Sequence, residues 1–508
     1  MSNTPPPAFD GELKGAYPKE LDDSPKRDNG AERQLKWKLD SRLIPVIVFL
    51  AMMSSVDRIV ISFARLEGLK SDLHLTDIQY DTALAAAYAL HCLVLVPSNM
   101  FYPARIPLLR NLLRPSLYIG CCAVLWGIIS GLTGLTKDYG SILACRVLLG
   151  VPDAGFYPGC SYLLSRWYTR KELGLRLALL LTGGMMAHAF GGLLAAAILA
   201  ILKDKFHIAA WRWLFFMEGA VTAVVGILSM WLLPDYPHNT RWLNAEERRL
   251  TQLRLAKDVG EADMDSEEAS IFEGLRMAMK DAKTYLFMLL AFFLFLSGSF
   301  TNFFPTLTAT LGYSTNVTLL MSAPPWVLPA IVGVINAWHS DRTGERFFHL
   351  VTYWWITIVG FIISLSTMAT GARYFSQYLM ALRSGGDMVF IAWVANAIPR
   401  PPSKRSVVIA LTITAGNAGT IAGSYIWKES WGPQYHPSFL ICLISLLAVI
   451  AVAFVIRTIQ IRENKRMEHL EIDDLEKDER ERIEKAAELE GMTFVDAFRR
   501  RKQLPGIY

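Results

Sequence analysis

Apolar stretches of roughly 20 residues recur along this chain, with shorter polar segments between them. A stretch of that length crosses a bilayer core of about 30 Å as an α-helix. The pattern predicts twelve spans, and this even number puts both termini on one side of the membrane. We place the spans at 43–63, 81–101, 115–134, 141–164, 174–202, 212–233, 284–307, 317–339, 347–370, 374–398, 406–428 and 436–460.

The composition agrees with an all-α polytopic membrane protein. Of the 508 residues, 52% are hydrophobic and 19% are charged, whereas a soluble protein usually has about 25% charged residues. The six cysteines fall in apolar stretches, and we interpret them as packing residues. The polar start of the chain has no apolar segment of the kind found in cleavable signal peptides.

Basic residues in the connecting loops predict the orientation, because cytosolic loops carry an excess of Lys and Arg. The loops on the side of the termini hold Arg105, Arg166, Arg346 and Arg405 among others, and the opposite loops hold few, such as Lys137. Both termini are therefore predicted to be cytosolic. We divide the chain into a cytosolic tail (1–41), a six-helix bundle (42–233), a cytosolic central loop (234–283), a second six-helix bundle (284–460) and a cytosolic C-terminal tail (461–508).

Two pairs of arginines indicate that the bundles are repeats. Arg342 follows Arg105 by 237 residues, and Arg383 follows Arg146 by the same 237. Repeated six-helix halves that meet at a cavity near the bilayer midplane describe the major facilitator architecture. In the loop between the halves, Asn244 followed by Glu247 matches a capping box and predicts a helix over 245–257.

Four ionisable residues inside spans 1 and 4 are the main candidates for function. A charge in a bilayer is costly, and it persists where it lines a wet cavity or finds a partner. Asp57 and Arg58 are adjacent and diverge by about 100° around a helix, whereas Arg146 and Asp153 are seven residues apart and share a face. We predict that they line the central cavity. The alternatives are that the first pair reaches water at the outer surface and that the second pair only fixes helix packing.

The residue types suggest separate roles. The planar guanidinium suits a carboxylate ligand, so Arg58 and Arg146 are predicted to bind an anion. A carboxyl group in a low-dielectric cavity can carry a proton, so Asp57 and Asp153 are predicted to couple protons to transport.

Further polar residues lie inside the predicted spans. His91 could bind the ligand, relay protons or only satisfy helix packing. Trp393 and Asn396 could stack on and hydrogen-bond a ligand, or only pack. We assign these three to substrate binding, and we interpret His188 and Glu218 as structural.

Charges at the cytosolic ends of spans are candidates for gating. Asp341, Arg342 and Arg346 lie in the loop after span 8, and Arg105 follows span 2. Such charges can bridge helix ends in one conformation and release them in another. The alternative is ordinary anchoring of positive charge on the cytosolic side.

Motifs in both halves resemble those of a known family. They are Asp57-Arg58, Pro97-Ser-Asn99, the segment from Arg146 to Gly159, the segment from Trp211 to Gly219, Ser340-Asp-Arg342, Trp393, Asn396, Lys404-Arg405 and Asn417. Over about residues 40–460 the chain resembles the anion:cation symporters, and most closely the fungal allantoate permease branch, which includes pantothenate, biotin and nicotinate transporters.

The resemblance implies the same roles as the charge pattern. It implies proton carriers at Asp57 and Asp153, substrate-carboxylate ligands at Arg58 and Arg146, and a pocket that includes Trp393 and Asn417. The chain departs from its relatives in span 2, where His91 and Leu95 stand in place of a frequent Tyr and Glu. The identity of the substrate therefore does not transfer.

We predict a proton-coupled importer of a small organic anion, such as a carboxylated vitamin, a ureide or a sugar acid, that works by alternating access. The alternatives are a non-transporting nutrient sensor and an exporter of the same fold. We expect no enzymatic activity, no metal, no cofactor beyond the coupling proton, and no nucleic-acid partner. We expect a monomer in the plasma membrane, with the vacuolar membrane as the alternative.

Overall fold

The computed structural model describes residues 29–101, 114–203, 205–236, 240, 242–260, 271–398 and 402–469, which form helices joined by short connections. The predicted all-α fold is confirmed, and a helix occupies each predicted span. We number these helices as α1 Asn29–Leu66, α2 Asp77–Phe101, α3 Pro115–Thr133, α4 Tyr139–Ser165, α5 Arg170–Leu202, α6 Ala210–Leu232, α7 Ala282–Ser297, α8 Pro324–Thr343, α9 Phe347–Ser366, α10 Arg383–Ala397, α11 Pro402–Ser424 and α12 His436–His469.

Within the described part of the chain, nine helices or helix runs are long and apolar enough to cross a membrane. Three spans of the second half are interrupted. A 3-10 helix, Gly298–Phe303, and a short helix, Phe304–Ala309, continue α7, and Thr315–Ser322 and Thr370–Ala381 precede α8 and α10. Proline accounts for two of the breaks, since it starts a helix readily and cannot donate a backbone hydrogen bond within one.

The first and last spanning helices extend beyond the predicted spans. Helix α1 begins at Asn29, inside the segment we assigned to a tail, and α12 continues to His469. Leu35, Leu39 and Leu43 recur every four residues on α1 and are buried. This stripe packs on one face of the first part of α1, where most of the other residues are polar, so the polar composition of residues 29–43 concealed it.

The central loop contains the predicted helix, Ala245–Gly260. The Asn244 side-chain oxygen accepts from the Glu247 amide at 2.8 Å, and a Glu247 carboxylate oxygen accepts from the Asn244 amide at 3.0 Å, so the capping box is confirmed. Arg254 of this helix forms an ion pair with Glu172 of α5 at 2.6 Å. The loop helix is therefore held against the first half.

The helix contacts repeat between the two halves. In the first half α1 packs on α5, α2 on α4 and α3 on α6; in the second half α7 packs on α11, α8 on α10 and α9 on α12. Each pair recurs six helices later, as the shared offset of the arginines predicted. The halves meet where α2 contacts α11 and where α5 contacts α8.

Glycines allow the close contact between α3 and α6. A Cβ added to Gly127 would lie 2.5 Å from the backbone oxygen of Gly219, and one added to Gly219 would lie 2.5 Å from that of Gly127. Small residues let helices approach closely in a membrane, where packing drives their association. The two backbones leave no room for a side chain.

We expect Gly127→Ala to lower the free energy of unfolding by ~1–3 kcal/mol, because the methyl group must push α6 away. Gly131→Ala on the same helix is the matched control, since a Cβ there meets no atom within 4 Å. Thermal unfolding in detergent should separate the two variants. Equal stability of both would contradict the close approach.

Candidate functional site

The four charges of spans 1 and 4 form two crossed pairs between α1 and α4. Arg58 contacts Asp153, and Arg146 contacts the backbone of Asp57. These contacts show that α1 and α4 bring their charges together, and the roles predicted for the four residues stay predictions. Each contact joins a residue of α1 to a residue of α4, and neither joins two residues of one helix.

The first cluster surrounds the Asp153 carboxylate. Arg58 Nη1 donates to Asp153 Oδ2 at 3.1 Å, and the Ser54 hydroxyl donates to Oδ1 at 3.1 Å. The Nδ1 atom of His91 on α2 lies 3.0 Å from Oδ2. One carboxylate of α4 thus contacts an arginine of α1 and a histidine of α2.

Arg58 is the more accessible of the two predicted anion ligands. Its side chain is 22% exposed, whereas Arg146 is 3% exposed. Arg58 Nη2 also donates to the Ser55 hydroxyl at 3.2 Å, and Tyr88 and Tyr157 are electrostatic neighbours of the guanidinium. Tyr157 follows Asp153 by one helical turn, a spacing that could have revealed it in the sequence.

The second cluster is enclosed within the first half. Arg146 Nη1 donates to the Asp57 carbonyl oxygen at 3.1 Å, and its guanidinium lies 5.4 Å from the Phe215 ring centroid. Glu218 of α6 is 1% exposed and is an electrostatic neighbour of both Asp57 and Arg146.

This placement corrects two expectations. Asp57, 1% exposed, and Arg146 are packed between helices of one half rather than lining an open cavity, and Glu218 is a second buried carboxyl group near the arginine. We interpreted Glu218 as a structural residue at the membrane rim because it follows Trp211-Arg212 closely. The sequence feature that could have revealed its role is that Glu218 is an acidic residue inside an apolar span.

The second half repeats the arginine but not the acid. Arg383 Nη1 donates to the Leu294 carbonyl oxygen at 2.9 Å, and Leu294 follows Asp57 by the same 237 residues that separate Arg383 from Arg146. The carboxylate partner of Arg383 is Asp387 on its own helix, at 3.1 Å. The backbone contact is thus duplicated, and the acid is supplied from a different position.

The candidates of the second half do not join the Arg58 cluster. Trp393 is fully buried against Phe287 and Phe347, and its Nε1 donates to Gln460 at 3.3 Å, contacts typical of packing. The amide nitrogen of Asn396 is buried without a hydrogen-bond partner. Asn417 of α11 faces Cys92, the neighbour of His91, at the seam between the halves. Their predicted contacts with substrate stay predictions.

The predicted cytosolic gate is described in part. Arg105 lies outside the described residues. Arg346 forms an ion pair with Asp341 at 2.6 Å, and Arg342 lies 5.6 Å from the Trp338 ring centroid. These contacts stay within the second half, and the gating role stays a prediction.

In the described ranges, polar contacts between the halves cluster on the side opposite the termini. The Ser62 hydroxyl donates to the Asn302 carbonyl, and Tyr88 donates to the Asn302 side chain at 3.5 Å. His188 stacks on Trp326 with ring centroids 4.2 Å apart. We had interpreted His188 as structural, and Asn302 gave no signal beyond an amide in an apolar span.

Comparisons with known proteins give a consistent result. A sequence model of the Major Facilitator Superfamily matches residues 47–424. The MFS-type transporter cnsO of Penicillium expansum is 31% identical over 468 residues, which cover 88% of each chain. The major facilitator-type transporter hxnP of Emericella nidulans is 28% identical and covers 84% of this chain and 86% of its own.

Two solved structures share the fold. One is a bacterial homologue of the human lysosomal transporter Spinster in an inward-facing and occupied conformation, with a TM-score of 0.58, 16% identity and coverage of 82% of this chain and 97% of that one. The other is the xylose transporter XylE of E. coli in a partially occluded inward-open conformation, with a TM-score of 0.59, 13% identity and coverage of 81% and 97%.

Proposed function

Because this chain belongs to the major facilitator superfamily, we propose that it imports a small organic anion together with protons, by alternating access across the plasma membrane. The chain is an integral membrane transporter and not an enzyme. The motifs around Asp57-Arg58 and Arg146 support a place in the allantoate permease branch of the anion:cation symporters. Carboxylated vitamins, ureides and sugar acids are the substrate classes that we propose.

The contact between Arg58 and Asp153 carries this proposal. Arg58 is the partly exposed cation of the first cluster, and its planar guanidinium can bind a carboxylate through two parallel hydrogen bonds. In the present arrangement Asp153 occupies that guanidinium. A substrate carboxylate and Asp153 therefore compete for one cation.

Charge balance turns this competition into coupling. With His91 neutral, Arg58 and Asp153 together carry no net charge. An incoming anion adds one unbalanced negative charge in a low-dielectric site, where such a charge is costly. One proton on Asp153 or His91 restores neutrality and releases Arg58 to the substrate, so anion and proton enter together.

The second cluster is proposed to hold a further proton. Asp57, Glu218 and Arg146 are neutral as a group when one of the two carboxyl groups is protonated. Asp57 is adjacent to Arg58 on α1, so a movement of α1 shifts both clusters. We therefore propose that Arg146 acts by positioning Asp57, and that Arg58 makes the direct contact with substrate.

The test is uptake by the purified protein in proteoliposomes, with radiolabelled members of each proposed substrate class. A pH gradient that is acidic outside should drive accumulation above equilibrium, and a protonophore should abolish it. Accumulation driven by the opposite gradient would identify an exporter. If the pH gradient changes the flux of no carboxylate in the panel, the proposed coupling is wrong.

We expect Asp153→Asn to lose accumulation driven by the pH gradient but to keep exchange of labelled for unlabelled substrate. The amide cannot carry the proton, yet it leaves Arg58 free to bind the anion. Asp387→Asn is the matched control, because it also removes an intramembrane carboxylate paired with an arginine at 3.1 Å. Intact accumulation in Asp153→Asn would exclude this carboxylate from coupling.

A further inference from the structure

An ion-pair cluster lies on the extracellular side, apart from both clusters above. Glu429 belongs to the connection between α11 and α12. Its Oε2 atom contacts Lys70 Nζ and lies 3.5 Å from Arg65 Nη2. Arg65 and Lys70 belong to the first half and Glu429 to the second, so these contacts join the halves at the end away from the termini.

The cations of this cluster are fixed to the first half. The Arg65 guanidinium lies 4.7 Å from the ring centroid of Tyr80 on α2. Lys70 Nζ also contacts the Asp77 carboxylate at the start of α2. Both cations therefore move with α1 and α2 when the halves move.

Glu429 is fixed to the second half by the loop that carries it. Arg373 is 4% exposed and donates to the carbonyl oxygens of Pro433 at 2.9 Å and Gln434 at 2.7 Å. On the other side of Glu429, Trp427 is 1% exposed and donates to the Ser299 hydroxyl at 2.9 Å. The loop is therefore anchored on both sides of the glutamate.

We propose that Glu429 is the latch of the extracellular gate and that Arg373 is its positioning residue. The proposal rests on the proposed function only in that the two halves rock about a central site. When the halves separate, Lys70 keeps Asp77 as a partner and Glu429, already 57% exposed in its side chain, becomes hydrated. Exposed ion pairs stabilise weakly, which suits a contact that forms and breaks in every cycle.

A thiol placed behind the latch reports the position of the gate. Ser62 is 1% exposed, and its hydroxyl bonds the Asn302 carbonyl across the two halves. The protein carrying Ser62→Cys is labelled from outside with a membrane-impermeant thiol reagent, and labelling of the parent protein is subtracted. We expect Glu429→Gln to raise the labelling rate about two- to fivefold, because it increases the outward-open population.

Asp72→Asn is the matched control. Asp72 pairs with Arg212 at 3.2 Å, and its side chain is 43% exposed, but both partners belong to the first half. This variant removes a similar ion pair that lies within one half, so its labelling should equal that of the protein carrying Ser62→Cys alone. Equal labelling in Glu429→Gln, or the same increase in Asp72→Asn, would overturn the latch.

Double variants test whether the residues act as one unit. Lys70→Gln added to Glu429→Gln should raise labelling no further, because either change alone opens the same contact. Arg373→Lys should raise labelling when added to Ser62→Cys alone and leave it unchanged when Glu429→Gln is also present. An additive effect of Arg373→Lys would refute its positioning role. Labelling needs neither substrate nor pH gradient, so these results stand whether or not an anion is transported.

Discussion

Arg58→Gln is expected to reduce uptake of the anion on the order of 100-fold. Removing one partner from a buried, hydrogen-bonded charge pair costs about 2–5 kcal/mol, and 1.4 kcal/mol corresponds to a factor of about ten. The substrate loses its guanidinium ligand, and Asp153 loses the cation that lies 3.1 Å away. Initial rates of labelled uptake in proteoliposomes, normalised to protein content, measure the effect.

Two further variants show whether charge alone is sufficient at this position. Arg58→Lys should recover part of the uptake, since an ammonium keeps the charge but not the planar fork. Arg166→Gln, at an exposed arginine directly after α4, should transport like the parent. Uptake by Arg58→Gln at the parental rate would mean that the anion binds elsewhere.

The architecture could be predicted because it depends on properties that the sequence displays directly. Span length, loop charge and an apolar composition each follow from the bilayer as a solvent. The position of the repeat was visible because arginines are rare inside spans. Arg146 and Arg383 therefore stood out, and their backbone contacts with Asp57 and Leu294 repeat at the same offset.

The partners within the site could not be predicted from spacing. A separation of seven residues places Arg146 and Asp153 on one face of α4, but it does not say which residue of α1 each will meet. That choice depends on how far the facing helices are shifted along their axes. The long side chain of Arg58 reaches Asp153, and Arg146 reaches the neighbouring Asp57, so the sequence pairs exchange partners.

Partners that come from helices other than α1 and α4 could not be predicted either, because they depend on which helices pack together. Glu218 joins Asp57 and Arg146 because α6 packs beside α1, a contact that no local pattern announces. Trp393 could not be assigned from the sequence, because an aromatic residue in a span suits a ligand and a helix contact equally well. Its contacts with Phe287 and Phe347 become visible only once the fold is known.

The comparison of the two halves supports our proposal that the first half carries the chemistry of transport. Both halves keep an arginine that donates to a backbone carbonyl of the facing helix, so this contact supports the fold. The first half adds Asp57 and Glu218 from two other helices, whereas Asp387 is paired along its own helix. We propose that Arg146, which lies near acids of two other helices, couples their movement, whereas the pair of Arg383 and Asp387 lies within one helix.

Arg146→Gln is accordingly expected to destabilise the protein by roughly 3–5 kcal/mol, because it leaves two buried carboxyl groups without a cation. The apparent unfolding temperature in detergent, followed by the loss of the monodisperse peak in size-exclusion chromatography, measures it. Adding Glu218→Gln should restore part of the loss, since it removes one of the two acids.

Arg383→Gln separates this explanation from a purely structural one. It also removes a buried arginine and its backbone hydrogen bond of 2.9 Å. In the described residues, however, Asp387 is the one carboxylate that then loses its arginine partner. Its loss of stability should therefore be the smaller of the two. If Arg146→Gln and Arg383→Gln are equally unstable and Glu218→Gln rescues nothing, then the backbone contact carries the stability. In that case the two acids of the first half do not share the arginine's charge.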